Sequence, residues 1–202
     1  DMAQAFSKDR VTAGLLRSTP CLRDKVKDPR SRDSGNTTLH KLFAGGALTM
    51  VGANSPSGLA SRPIRVLLCD EVDRYPTSAG EEGDPIQLAV KRTSTFWNRK
   101  IIMVSTPTNK GASRIEESYE KSDKRRYHIP CKHCKEPQVM RWKNVKWYND
   151  DPDTTCYVCE HCGVEWSDSD RRWSIRNGKW IADEPFNGIA GFHISALYSP
   201  WT

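Results

Sequence analysis

Two short apolar runs stand out along this chain. Ile64-Arg65-Val66-Leu67-Leu68-Cys69 runs straight into Asp70 and Glu71, and Lys100-Ile101-Ile102-Met103-Val104 runs into Ser105-Thr106-Pro107. A short apolar run bounded by turn residues predicts a strand buried on both faces, as in a parallel sheet. Between the two runs, Asp84-Pro85-Ile86-Gln87 places an acid at a helix N-cap, Pro at the first helical position and Gln at the third. That start predicts a helix running to about Trp97. About thirty residues separate the strands, which suits a βαβ unit with a right-handed crossover. Asp70, Glu71, Ser105 and Thr106 then share the carboxyl edge, where open α/β sheets bind ligands.

The rest of the pattern is weaker. Met2, Phe6, Leu15 and Leu16 sit at roughly helical spacing over residues 2–18, and Pro20 ends the run. Residues 21–36 are polar and read as a loop. Residues 38–43 and 47–51 are strand-like around Gly45-Gly46, a hairpin pattern. Gly52 to Arg62 is a loop rich in small residues. Ala112 to Lys121 reads as a helix, and Gly191-Phe192-His193-Ile194-Ser195 as a further strand.

With 202 residues, 37% of them hydrophobic, the chain suits one medium domain with a small appendage. No apolar stretch approaches the roughly 18 residues of a membrane span, so no membrane partner is expected. No secretory leader is visible. The first residue is Asp, and Asp1-Met2-Ala3-Gln4-Ala5-Phe6 reads as mid-helix, so a longer polypeptide is expected around this stretch. The net charge of +6 suits a polyanionic partner, while charges of both signs are interspersed, as on a surface that only keeps a domain soluble. The densest basic segment, Arg17 to Arg32, reads first as a solvated loop and second as a phosphate contact.

The cysteines change the picture more than the charge does. There are seven, and five crowd into residues 131–162. Cys131-Lys132-His133-Cys134 and Cys159-Glu160-His161-Cys162-Gly163 are two Cys-x-x-Cys knuckles 24 residues apart. Four thiolates at such spacing predict a structural zinc ribbon in a reducing compartment. Trp142, Trp147, Tyr148, Tyr157, Trp166 and Trp173 would cover a module too small to fold without its metal. Cys156 with Cys159 is an alternative pair; Cys159 with Cys162 is preferred because Gly163 follows. His133 and His161 read as exposed rather than ligating, Cys69 as a small apolar group on its strand, and Cys21 is unassigned. A redox dithiol is the second reading of a knuckle. The basic neighbourhood of Lys132, Lys135, Arg141, Lys143 and Lys146 is a candidate DNA contact.

An apolar strand ending in Asp-Glu is the Walker B pattern of nucleotide-driven motors. Asp70 would hold Mg²⁺ and Glu71 would orient or deprotonate the attacking water. Ser105, Thr106 and Thr108 offer hydroxyls to a terminal phosphate or its water. Three readings compete: a motor component, a non-enzymatic zinc-ribbon nucleic-acid-binding module on an α/β scaffold, and a metal nuclease using Asp70, Glu71 and Asp73. The last ranks lowest, because adjacent acids on a strand point to opposite faces.

Several blocks in order strengthen the first reading. They are Arg30-Ser31-Arg32-Asp33-Ser34-Gly35-Asn36, Gly52-Ala53-Asn54-Ser55-Pro56-Ser57-Gly58-Leu59, Leu68-Cys69-Asp70-Glu71-Val72-Asp73-Arg74-Tyr75, Val104-Ser105-Thr106-Pro107-Thr108, the knuckles, and Ala190-Gly191-Phe192-His193-Ile194-Ser195. Together they resemble the large terminase subunit of tailed double-stranded-DNA phages, in the GpA-like group, over essentially the whole chain. The resemblance implies an ATP-driven motor that packages DNA, with a separate nuclease domain that cuts concatemers. It implies a P-loop-NTPase-like (ASCE-type) α/β fold, a mostly parallel sheet flanked by helices. Residues 1–127 would be the later part of the ATPase domain, 128–180 the zinc-ribbon insertion and 181–202 a return strand leading toward the nuclease. Implied cofactors are ATP, Mg²⁺ and structural Zn²⁺ on Cys131, Cys134, Cys159 and Cys162. Asp70 and Glu71 would be the Walker B pair, and Ser105, Thr106 and Thr108 the coupling element. Implied partners are double-stranded DNA, a small terminase subunit, the capsid portal and further copies in a ring, in the cytoplasm of a bacterial host carrying the phage or prophage. One departure matters: no G-x-x-x-x-G-K-[ST] phosphate loop occurs in these residues.

Overall fold

The computed structural model describes residues 2–27 and 35–199. Asp28, Arg30 and Arg32 of the basic segment, most of the 30–36 block and residues 200–202 lie outside the described residues. The chain divides into two compact units, 1–106 and 107–202.

The first unit opens with a helix, α1 (Met2–Phe6), that continues in a wider winding over Ser7–Arg17. Within the segment expected to be a loop, Pro20–Arg23 forms a helical turn, α2, because Pro20 occupies the first helical position, where its missing N–H costs nothing. The hairpin forms as expected: β1 (His40–Phe43) pairs antiparallel with β2 (Gly46–Thr49), Phe43 opposite Gly46. The small-residue loop holds a second departure, the short helix α3 (Pro56–Ala60), capped by the Ser55 hydroxyl, which accepts from the Gly58 N–H at 3.3 Å.

β3 (Val66–Asp70) and β4 (Lys100–Val104) pair in parallel, Val66 opposite Lys100 through Asp70 opposite Val104. The connecting helix α4 (Pro85–Lys91) starts where expected, with Asp84 accepting from the Ile86 N–H. It stops short of Trp97, which is 95% exposed. The Thr93 and Ser94 hydroxyls donate to the carbonyls of Val90 and Lys91, both at 2.8 Å, and so replace the next helical turn. Burial of the strands on both faces is not observed. Cys69 is buried and α4 packs on β3, but Leu68 is 62% and Val104 57% exposed. Within this unit the parallel sheet has two strands, and among the described residues its face bearing Val66, Leu68, Ile102 and Val104 stays exposed.

In the second unit, α5 (Arg114–Glu120) is capped by Ser113, whose hydroxyl accepts from the Glu116 N–H at 3.0 Å. The central strand is β5 (Arg125–Pro130). Its end pairs with β6 (Pro137–Gln138), and a separate sheet is built from β7 (Val145–Tyr148), β8 (Asp151–Val158) and β9 (Glu165–Trp166). Helix α6 (Asp168–Arg176) begins with a capping box between Ser167 and Asp170. β10 (Lys179–Ala182) then pairs antiparallel with β5, and β11 (Phe192–His193) pairs with it in parallel. The core is Ile129, Cys131, Met140, Tyr157, Cys159, Trp166 and Tyr198. The Tyr198 hydroxyl donates to the Tyr127 carbonyl at 2.7 Å and accepts from the Met140 N–H at 2.8 Å. No described helix is long and apolar enough to cross a membrane.

Asp123 anchors β11 in this unit. It is fully buried; one carboxylate oxygen accepts from Arg125 at 2.7 Å and the other from the Gly191 N–H at 3.0 Å. Burial alone would raise its pKa, but the Arg125 and Gly191 hydrogen bonds outweigh it and hold the carboxyl below its ordinary value. A depressed folded pKa gives stability that is present above the unfolded value of about 4 and lost as the pH falls through the folded one. Asp123→Asn is therefore expected to lower the unfolding midpoint at neutral pH and to flatten the acid limb below about pH 4, followed by circular dichroism across pH. Gly191→Ala is expected to destabilise the unit by about 1–3 kcal/mol in urea titrations, since a Cβ there would overlap the Ser122 side chain.

Candidate functional site

Two constellations stand out, one in each unit. In the first, Asp70 closes β3 with its side chain exposed, and the backbone then turns sharply. Glu71 adopts a left-handed conformation at φ 55°, and Val72–Arg74 form a 3₁₀ turn beneath which Val72 is fully buried. A non-glycine residue in this region is strained, and such strain concentrates at functional turns. It also takes Glu71 out of the strand, so strict strand alternation does not govern how the two carboxylates point. The Glu71 carboxylate accepts from Arg74 Nε at 3.2 Å.

The neighbouring strand end is tied to this turn. Ser105 Oγ accepts from the Asp73 N–H at 3.2 Å and lies 3.2 Å from the Thr106 carbonyl, to which it donates. The parallel register thus brings Asp70, Glu71, Ser105 and Thr106 to one edge. Behind the edge, burial raises the Cys69 thiol, partly offset by a hydrogen bond from Tyr75, and pushes the Tyr75 hydroxyl up to about 12. Both therefore stay protonated near neutral pH and serve as packing. Thr108 is exposed and falls in the second unit. The edge offers exposed carboxylate and hydroxyl oxygens, a donor set that suits a hard cation such as Mg²⁺.

The second constellation is made of sulfur. Cys131, Cys134, Cys159 and Cys162 have all four Sγ atoms within 4.8 Å of one another. Cys131 lies 3.9 Å from Cys162 and Cys134 3.8 Å from Cys159. Tetrahedral Zn–S bonds of about 2.3 Å would space thiolates about 3.8 Å apart, so the residues fit a zinc ion. Each knuckle aims a backbone N–H at its first sulfur: His133 at Cys131 and His161 at Cys159, both at 3.4 Å. Burial would raise the Cys159 pKa, but the Cys162 and His161 N–H groups and Gln138 lower it overall, whereas burial and the neighbouring thiols outweigh the lowering backbone hydrogen bonds and raise Cys134 and Cys162.

Cys156 sits in β8 opposite Lys146 and is not part of the cluster. Neither His ring joins it: His133 Nε2 lies 3.5 Å from Asp170, and His161 Nε2 3.2 Å from the Pro137 carbonyl. Cys69 is buried in β3 and Cys21 is exposed. Sequence reading missed Gln138, which is 1% exposed. It donates to Cys159 Sγ at 3.2 Å and accepts from the Glu160 N–H at 3.0 Å, tying β6 to the second knuckle. Nothing in its spacing marks it, because its role depends on β6 folding back onto β5.

The family described as phage terminase large subunit gpA, ATPase domain, matches residues 1–180. The chain is similar to the terminase large subunit of Enterobacteria phage P21, at 28% identity over 99% of this chain and 35% of that protein. It is also similar to the terminase large subunit of Escherichia phage lambda, at 27% identity with the same coverage. The chain thus spans about a third of the length of these relatives. No solved structure matches it.

The strained turn makes its own prediction. Glu71→Gly is expected to leave the first unit as stable as the parent or more stable by about 1 kcal/mol, because glycine relieves the left-handed backbone. Thermal unfolding measures it; a clear drop in midpoint would show that Glu71 is held there by packing instead.

Proposed function

Because this chain belongs to the family of phage terminase large subunit gpA ATPase domains, we propose that it is part of an ATP-hydrolysing motor that packages double-stranded DNA. The observation that carries the reading is the parallel β3–β4 register, which sets an acid pair and a tethered hydroxyl side by side at one sheet edge. Asp70 ends the strand and would hold Mg²⁺, whose positive charge would stabilise the phosphates of ATP. Glu71, lifted out of the strand, would orient the attacking water and accept its proton. Ser105, bonded to the Asp73 backbone, would report occupancy of the acid turn to the next strand end, with Thr106 and Thr108 completing the coupling element. The phosphate-binding loop would come from residues outside this chain, as would a nuclease domain that cuts concatemers.

The bare apolar face of β3 and β4 supports a larger P-loop-type sheet in the whole protein. The four cysteines would hold a structural zinc ion; with four thiolates no position remains open for substrate water. The whole protein would work in the host cytoplasm as a ring on the capsid portal, with a small terminase subunit. No observation favours the reading of a non-enzymatic ribbon module.

Two predictions follow from these roles. In the longer protein, Glu71→Gln is expected to cut ATP hydrolysis by about 10²–10⁴-fold while nucleotide binding persists; residues 1–202 alone are expected to show negligible turnover. Steady-state phosphate release and binding of a fluorescent nucleotide separate these outcomes. Second, the purified chain is expected to carry one zinc ion, read by plasma mass spectrometry, that Cys159→Ser removes along with the cooperative unfolding of residues 107–202. Zinc retained with Cys159→Ser and lost with Cys156→Ser would reassign the ligands.

A further inference from the structure

The turn of the first knuckle and helix α6 bound an open groove of about 350 Å³, lined by Lys132, Ser169, Arg172, Trp173 and Arg176. Lys135 lies over the Trp173 ring, its Nζ 4.8 Å from the centroid. Two of these cations are tied down: Lys132 Nζ is 2.8 Å from Asp170, and an Arg172 guanidinium nitrogen is 2.7 Å from Asp168. Lys135 and Arg176 form no ion pair among the described residues, and both are exposed; Lys135 Nζ donates to the Lys132 carbonyl at 2.6 Å, a neutral partner that leaves its charge uncompensated. The groove therefore has a surplus of positive charge beside a flat ring and a hydroxyl, set on a helix and a cysteine turn.

We propose that this groove seats the sugar–phosphate backbone of duplex DNA, with Lys135 and Arg176 as its principal phosphate contacts. The identity of the partner rests on the packaging reading; the location rests on the groove. A small nucleotide would call for an enclosed, mostly apolar pocket with a few fixed polar groups, and this groove is open and cationic. Phosphate contacts come from Arg, Lys and Ser side chains and carry no base specificity, which suits a motor that must move along any sequence. The two paired cations are pre-oriented by their acids, and the two unpaired ones are available to replace counterions on the duplex.

The test uses the zinc-loaded chain and short fluorescent duplexes of unrelated sequence, titrated by anisotropy across a salt series. Lys135→Gln with Arg176→Gln is expected to weaken binding to every duplex alike and to reduce the slope of log affinity against log salt by about 1.8, two contacts at about 0.9 each. Lys8→Gln with Lys91→Gln, both exposed in the first unit, is expected to leave the slope unchanged. In the unsubstituted chain, DNA is expected to protect Lys135 from acetylation, a readout that needs no variant to fold. An unchanged slope in the first variant, an equal loss in the second, no binding by the parent chain or unprotected Lys135 would each overturn the proposal. Neither variant touches Asp70 or Glu71, so hydrolysis in the longer protein reports separately on the motor reading.

Discussion

The parallel pairing of Val66–Asp70 with Lys100–Val104 is the constraint on which the candidate catalytic edge depends. Parallel strands need a crossover, and the chain supplies one by capping α4 with Asp84 and Pro85. The crossover puts both carboxyl ends on one side. Asp70 and Ser105 then become neighbours without any direct bond between them. The fixing contact is a backbone one, from the Asp73 N–H to Ser105 Oγ. A slip in register would leave the strands intact and separate the acids from the hydroxyl.

The second unit is organised differently. Its apolar core is small, and two of its seven members are cysteines of the sulfur cluster. The Tyr198 hydroxyl links the Tyr127 carbonyl of β5 to the Met140 N–H just after β6, and Asp123 fastens β11 through its own buried carboxylate. These polar ties, together with a metal on the four sulfurs, would compensate for the limited apolar burial. The same arrangement leaves the knuckle turn and α6 free to present Lys135 and Arg176 outward.

Local chemistry made much of this legible in the sequence. The Gly45-Gly46 hairpin and the Asp84 cap follow from turn and cap rules that act within a few residues. The knuckle spacing singled out the four sulfurs that the fold brings together, because a Cys-x-x-Cys turn is itself a local structure. What escaped was set by distant contacts. β5 has an Arg-Arg-Tyr-His sequence with no strand pattern, and it becomes a central strand only because β10 and β11 pair with it. The end of α4 was missed because the Thr93 and Ser94 hydroxyls compete for its last carbonyls. The apolar run of β3 predicts burial on both faces, and among the described residues one face stays exposed, since the burial encoded in a sequence refers to every element that covers a strand.

The central claim is that Asp70 and Glu71 form the metal and water side of a nucleotide site. It is tested most directly by crystallising the longer protein that contains this stretch with Mn²⁺ and a non-hydrolysable ATP analogue, and locating the ion by its anomalous signal. The account predicts the ion beside the Asp70 carboxylate, directly or through one water, with Glu71 facing the terminal phosphate and Ser105 next to it. An ion and nucleotide bound away from the ends of β3 and β4 would contradict it.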